Sequence, residues 1–462
     1  MPSLTANSWP HRASRLALYF ILAIYVALGT LYAVHTPAWQ VPDEPAHYNY
    51  IRTLVDQHAL PVLQAGDYDQ AYLNKLTSQL FPPGLPVDGL RYEGWQPPLY
   101  YLLAAPVFAA TGGSLVAVRL FTLLLGSGVI VFTWRLARVI VPGSPGAALA
   151  AAGFIAFLPQ HLAMTAAANN DALTEVLIGL GLWLMARAIF HPRVAAGRIW
   201  WQLGLVLGLG FLTKLTAYPM AGLIAVALLL VARRRGWPWR RFILAALQAY
   251  VPAILLGSLW WVRNIVVYGG LDFLATTRHD SIVVGQLRTT EALAQWGAGV
   301  YVQRFIQTTF QSFWGQFGWM GVVMDRRVYW LLLLYSLGLL IGLLGALIAF
   351  QRAGRIGPEH HDGLVLLAVA LLLAVVVYLY YNLTFVQFQG RYLYPALPIM
   401  ALGAALALRQ WARWVAAGLP AGPPAVRQWT VWALPLLPLA LMALLDVYAL
   451  YRFILPALTP PA

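Results

Sequence analysis

The residues best suited to do chemistry stand together in VPDEPAHYNY, Val41 to Tyr50, just after the first long apolar run of a chain with only 16 acids among 462 residues. Asp43 and Glu44 are adjacent, Pro45 follows, and His47 lies four positions after Asp43, so Asp43 and His47 would share one face of a helix. A carboxylate there could take a proton from a hydroxyl group. With His47, Asp43 could instead help to hold a divalent cation, Mg²⁺ or Mn²⁺. The competing reading makes Asp43 a helix N-cap with Pro45 in the first turn, an arrangement that needs no function.

A second acidic group, Asn169, Asn170 and Asp171, ends the third apolar run, with Glu175 one turn further on. Asn170 or Asp171 would serve equally as a cap or as a functional group. Glu175 lies within apolar sequence, where an ionisable side chain is costly and is expected to face a cavity or a partner. Three cations border apolar segments: Lys214 in LTKLTAYP, Arg263 in WWVRN and Arg391 in FQGRYLYP. Each could be a snorkelling residue. Converging near the acids, they would form a phosphate site, with Arg391, flanked by Gly390 and Tyr392, suited to bidentate contact and Lys214 acting as a point charge. QSFWGQFGW, residues 311–319, places Trp314 among aromatic faces and glycines, as either an interfacial belt or a sugar-stacking surface.

These groups must be positioned by membrane helices. The chain is 60% hydrophobic and 10% charged, against about 25% charged in soluble domains. Apolar runs of roughly 20 residues recur from end to end, the length needed to cross about 30 Å of hydrocarbon. The reading is an all-α polytopic membrane protein, a single transmembrane domain over 1–462. Eleven crossings are expected, near 16–34, 115–134, 146–166, 171–190, 199–213, 216–232, 243–262, 329–350, 363–381, 393–409 and 429–450. Pro97 to Ala110, short and bounded by proline, is expected as a re-entrant or juxtamembrane helix.

The net charge of +14 lies in short basic clusters between spans, which positive-inside topology explains and nucleic-acid binding does not. Arg12 and Arg15 before the first span place the N-terminus in the cytoplasm, with that span uncleaved. Residues 36–114 then form a first extracytoplasmic loop and 264–328 a second. Only Glu359 and Asp362 of the 16 acids fall on the cytoplasmic side. There is no cysteine, so thiol chemistry and disulfides are excluded, and no GxxxxGK[ST] motif for ATP.

The order of motifs resembles the GT-C superfamily of membrane glycosyltransferases: an acidic motif after the first span, PPLYY, a second Asp after the third span, LTK, and a late GRYLYP. PDEPAH, SFWGQFGW and QGRYLYPALP resemble a bacterial family of multispan proteins related to the protein-mannosyltransferase and aminoarabinose-transferase enzymes. That resemblance covers about residues 15 to 410. It implies polyprenyl-phosphate sugar donors, with Asp43 and Glu44 in the place of the first-loop catalytic acid, Asp171 as the second-loop acid, and Lys214 and Arg391 as donor-phosphate contacts. Gln96 departs from the histidine that many relatives carry before the paired prolines, and no large soluble C-terminal module is expected.

The expectation is an inverting lipid-phosphate-dependent glycosyltransferase in a prokaryotic plasma membrane, acting at the outer face on a cell-envelope glycan, lipid or protein. Asp43 or Glu44 is the expected base, with Asp171 assisting. Lys214, Arg263, Arg391 and Tyr392 would hold the phosphate, and His47, Gln96, Tyr100, Asn170 and Trp314 would contact substrate. The one cofactor the residues could use is a divalent cation, Mg²⁺ or Mn²⁺. The rival is a flippase for lipid-linked sugars, disfavoured by the one-sided distribution of acids.

Overall fold

The computed structural model describes residues 11–191, 198–352, 354, 357–419, 430–431 and 433–460. The basic residues Arg193, Arg355 and Arg427 and residues 429 and 432 of the expected 429–450 span lie outside them. The helices, in chain order, are α1 (His11–His35), α2 (Glu44–Gln57), α3 (Gln70–Ser78), α4 (Leu99–Ala110), α5 (Leu115–Ile140), α6 (Pro145–Ala156), α7 (Pro159–Thr165) and α8 (Asp171–Phe190). There follow α9 (Ile199–Phe211), α10 (Met220–Arg234), α11 (Trp239–Tyr268), α12 (Thr276–Ile282), α13 (Thr289–Trp314), α14 (Arg326–Arg352), α15 (Pro358–Thr384), α16 (Leu397–Gly418) and α17 (Leu436–Ala449). Short 3₁₀ turns, Leu215–Ala217 and Gly390–Ala396, lead into α10 and α16. The only strands among the described residues are β1 (Gln316–Phe317) and β2 (Val322–Val323), antiparallel with Gln316 opposite Val323.

Among the described residues nine helices are long and apolar enough to cross a membrane, or ten if α6 and α7, bent by 65°, make one span. This corrects the expectation of eleven in two places. The run 146–166 breaks because Pro159 supplies no N–H to continue the ladder, and Leu158 before it is pushed to extended backbone (φ −85, ψ 112). The run near 199–213 yields only the 13-residue α9, about 20 Å long at 1.5 Å per residue and too short to cross alone. Leu99–Ala110 is short, as expected.

Packing explains how so short a helix holds its place. On α9, Gly204 and Gly208 press against α11: a Cβ on Gly204 would lie 2.6 Å from the Ala249 carbonyl oxygen, and one on Gly208 2.7 Å from Leu256. Small residues one turn apart let two backbones approach within a membrane, where close contact replaces the hydrophobic drive. One core joins α1, α5, α6, α14 and α16; the other joins α4, α8, α9, α10 and α11. Elsewhere the outward faces stay apolar, with Leu331, Leu334 and Leu337 of α14 exposed, as a lipid-facing surface requires.

Candidate active site

The start of α2 separates two neighbouring acids. Asp43 stands at the N-cap position with a left-handed backbone (φ 68), yet its side chain makes no capping bond. Aspartate tolerates that conformation better than most residues. Its carboxylate points instead to two distant partners: the Tyr92 hydroxyl donates to Oδ1 at 2.9 Å, and Arg391 Nη2 donates to Oδ2 at 3.4 Å.

Glu44 turns the other way. It is fully buried, receives Arg119 Nε at 2.7 Å and Nη2 at 2.6 Å, and accepts the backbone N–H groups of Trp39 and Ala168. Four donors occupy its oxygens, so this carboxylate ties the start of α2 to α5 and to the segment before α8. It is not placed as a second base beside Asp43.

Asp171 opens α8, where its charge suits the positive end of the helix. Asn169 caps that end by accepting the Asp171 N–H at 3.0 Å. Lys214, extended between α9 and the Leu215–Ala217 turn, donates to Asp171 Oδ1 at 2.6 Å, and Arg391 Nη1 lies 4.0 Å from Oδ2. Arg391 therefore stands between Asp43 and Asp171. Its backbone is anchored by Gly390, where an added Cβ would lie 2.2 Å from the Thr309 carbonyl oxygen and 2.6 Å from the Phe313 nitrogen. Only glycine allows that approach. Gln389 accepts from Arg391 Nε at 2.6 Å and sets the plane of the guanidinium.

Around this quartet, His47 shares a hydrogen bond of 2.8 Å between Nδ1 and the Tyr101 hydroxyl, and Tyr101 stacks on Tyr50 at 3.6 Å. Burial, reinforced by Lys214, lowers the His47 pKa to about 3, so the ring is neutral. Asn170 reaches Gln96 Oε1 and the Tyr101 hydroxyl, both at 3.4 Å, and the Thr213 carbonyl at 3.3 Å. Glu93 lies within electrostatic reach of Asp43, Lys214 and Asp171; burial and then Asp43 push its carboxyl up to about 8. For Lys214, burial alone would lower the pKa, but Asp171 and Glu93 outweigh it and hold the ammonium above its ordinary range. A small cleft opens beside the cluster, lined by Asp171, Glu175, Thr216, Arg391, Tyr392 and Tyr394 among others.

Four expected site residues lie elsewhere. Arg263 donates to the Asn264 side chain and the Tyr268 hydroxyl, contacts the Pro61 carbonyl and lies over Trp260, pinning the 58–69 segment to α11. Trp314 is buried against Phe154 and Phe313. Tyr100 is buried and hydrogen-bonded to Thr122. Glu44 serves Arg119. Among the described residues no three His, Asp or Glu side chains group to hold a metal ion, and His47 Nδ1 is engaged by the Tyr101 hydroxyl.

Sequence reasoning passed over Tyr92, Glu93, Tyr101, Arg119 and His161. Arg119 carried a usable signal, an arginine inside an apolar run, where a charge demands a partner. Glu93 was one acid among seven in its loop. Glu175, singled out for the same reason as Arg119 could have been, has its partner: His161 Nε2 lies 2.9 Å from Oε2.

Three comparisons bear on this geometry. The family model described as dolichyl-phosphate-mannose-protein mannosyltransferase matches residues 95–261, a stretch that holds Gln96, Asp171 and Lys214 but neither Asp43 nor Arg391. A solved structure of ArnT from Cupriavidus metallidurans in the apo state aligns over 96% of this chain and 74% of its own, with 18% identity and a TM-score of 0.54. The two chains share one overall fold. The archaeal oligosaccharyltransferase AglB from Archaeoglobus fulgidus, solved with an inhibitory peptide and a dolichol-phosphate, aligns over 94% of this chain and 56% of its own, with 13% identity and a TM-score of 0.54. No curated protein sequence matches. With its apolar helices, this fold makes the chain an integral membrane protein.

Proposed function

We propose that the chain is an inverting glycosyltransferase that moves a sugar from a polyprenyl-phosphate donor to a cell-envelope acceptor at the extracytoplasmic face. One observation carries the reading: loops far apart in sequence bring Asp43, Asp171, Lys214 and Arg391 into a single alternating cluster of charges beside an open cleft. The orientation rests on charge. The acid-rich loops and the cluster share one face, while Arg138, Arg187 and Arg352 end helices at the other, consistent with a cytoplasmic N-terminus.

In this mechanism the acceptor hydroxyl is deprotonated by Asp43 as its oxygen attacks the anomeric carbon. The bond from that carbon to the phosphate oxygen breaks, and the electron pair leaves with the polyprenyl phosphate. Attack opposite the leaving group inverts the anomeric centre. The developing negative charge calls for fixed cations, which Lys214 and Arg391 supply from a partly desolvated site, with Tyr392 beside them. Tyr92 and Arg391 orient the Asp43 carboxylate, and Asp171 holds Lys214 in place. A lipid phosphate in this fold has a parallel in the dolichol-phosphate bound by AglB. His47, Gln96 and Asn170 would complete the substrate contacts.

The decisive assay is transfer from a panel of radiolabelled polyprenyl-phosphate monosaccharides to crude envelope acceptor, with wild type compared against Asp43→Asn. The expected result is transfer by wild type that falls about 100- to 10,000-fold in the variant, with donor binding retained. Consumption of no donor, together with movement of lipid-linked sugar across proteoliposomes, would replace this reading with that of a flippase.

A further inference from the structure

Beneath Asp171 the cleft has a floor that the mechanism above does not use. Glu175 lies one turn below Asp171 on α8 and lines the cleft with Thr216, Tyr392 and Tyr394. Its Oε2 is held by His161 Nε2 at 2.9 Å, and His161 Nδ1 lies 3.2 Å from the Ile155 carbonyl. The carbonyl can only accept, so Nδ1 carries a hydrogen, and a second proton sits between Nε2 and Oε2. Written as imidazolium with carboxylate or as imidazole with carboxylic acid, the pair holds the same protons and no net charge. That neutrality suits a site walled by apolar helices, where an unpaired ion is costly.

The break between α6 and α7 makes the contact. Ile155 lies at the end of α6, and the turn at Leu158 and Pro159 brings His161 of α7 back beneath that carbonyl. The Tyr394 ring packs edge-on to His161 at 5.7 Å between centroids. Glu175 is therefore fixed through one oxygen while the residue still borders the cleft; among the described residues Oε1 has no hydrogen bond. An isoprenoid tail, having no donors, would leave that oxygen desolvated and unpaired. A ring bearing hydroxyl groups would satisfy it.

We propose that this floor is the subsite for the sugar ring of the donor, with Glu175 accepting a hydrogen bond from a sugar hydroxyl and His161 acting as its positioning residue. The assignment rests on the donor class proposed above and adds which part of the donor enters the cleft. The phosphate stays at Lys214 and Arg391, and the sugar lies between them and the pair.

The test measures equilibrium binding to the full chain in lipid nanodiscs, using undecaprenyl phosphate and its glucose, mannose, galactose and arabinose esters. For Glu175→Ala, which leaves no acceptor, binding of the preferred ester should weaken about 10- to 100-fold, the range for a hydrogen bond to a charged group. Binding of undecaprenyl phosphate without sugar should stay within about twofold of wild type. Removing one hydroxyl from the preferred ester should cost wild type the same factor and the variant almost nothing. His161→Gln, which keeps the carboxylate but loses the paired proton, should show the same pattern in weaker form, and it carries the comparison if Glu175→Ala does not fold. Equal weakening for ester and free lipid phosphate, or no weakening of either, overturns the sugar subsite. Failure of wild type to bind any lipid phosphate instead overturns the donor class.

Discussion

Replacing Arg119 with methionine should destabilise the protein more than neutralising its partner through Glu44→Gln, although both break the same ion pair. Arg119 is 2% exposed and Glu44 is fully buried. Removing one partner of a buried pair costs about 3–5 kcal/mol, because the other charge is stranded. Glu44→Gln incurs that cost while leaving Arg119 bonded to the carbonyl oxygens of Ala33, Thr36 and Pro37. Arg119→Met strands Glu44 and also deprives those three carbonyls of their donor, at about 1–3 kcal/mol for each one left unsatisfied. The total then exceeds about 6 kcal/mol, within the range of a whole domain's stability. Unfolding by denaturant in mixed micelles, followed by tryptophan fluorescence, would rank the variants. The double variant Glu44→Leu with Arg119→Met strands no charge and should be more stable than Arg119→Met alone. Equal losses in the two single variants, or no recovery in the double, would refute the view that this pair holds Asp43 and the segment before Asp171 in register.

Lys214→Met should weaken donor binding and lower kcat together, by about 100-fold or more in kcat/KM, since it removes a cation from the leaving phosphate and strands Asp171; steady-state kinetics would check it. Arg391→Lys should retain folding yet lose most transfer, because an ammonium cannot bridge Asp43 and Asp171 as a planar guanidinium does. Titration adds two opposed limbs to stability. Glu93 has a folded-state pKa near 8, above that of the unfolded chain, so its contribution is present at low pH and is lost as pH rises toward 8; Glu93→Gln should flatten that alkaline decline in a thermal-unfolding series. His47, lowered to about 3, stays neutral when folded, so its contribution is present above the unfolded value of about 6.5 and is lost as pH falls from there toward 3; His47→Gln should flatten that acid limb. Gly208→Val should cost about 1–3 kcal/mol by forcing α9 away from Leu256 and Ala253, measurable by the same denaturant series.

Much of this protein was legible before any coordinate. Apolar runs of membrane-crossing length are a local property, so the helical class, most spans and the short Leu99–Ala110 helix followed from composition and spacing. The scarcity of acids drew attention to Asp43 and Asp171, and the cations beside apolar sequence to Lys214 and Arg391. What the linear chain left open is which of these residues meet. Asp43 and Arg391 are 348 positions apart, and nothing local couples them. Asp43 and Glu44 are neighbours of the same charge, yet a left-handed φ at Asp43 and the placing of Arg119 on α5 send one carboxylate to Tyr92 and Arg391 and the other into a buried pair. Arg263, Tyr100 and Trp314 have side chains as fit for binding as for packing, and their neighbours in three dimensions assigned them to packing. Residue type and spacing set the chemistry available to this chain; tertiary contacts between distant loops decided which groups share a site, because electrostatic and hydrogen-bond partnership depends on distance in space, not on order along the chain.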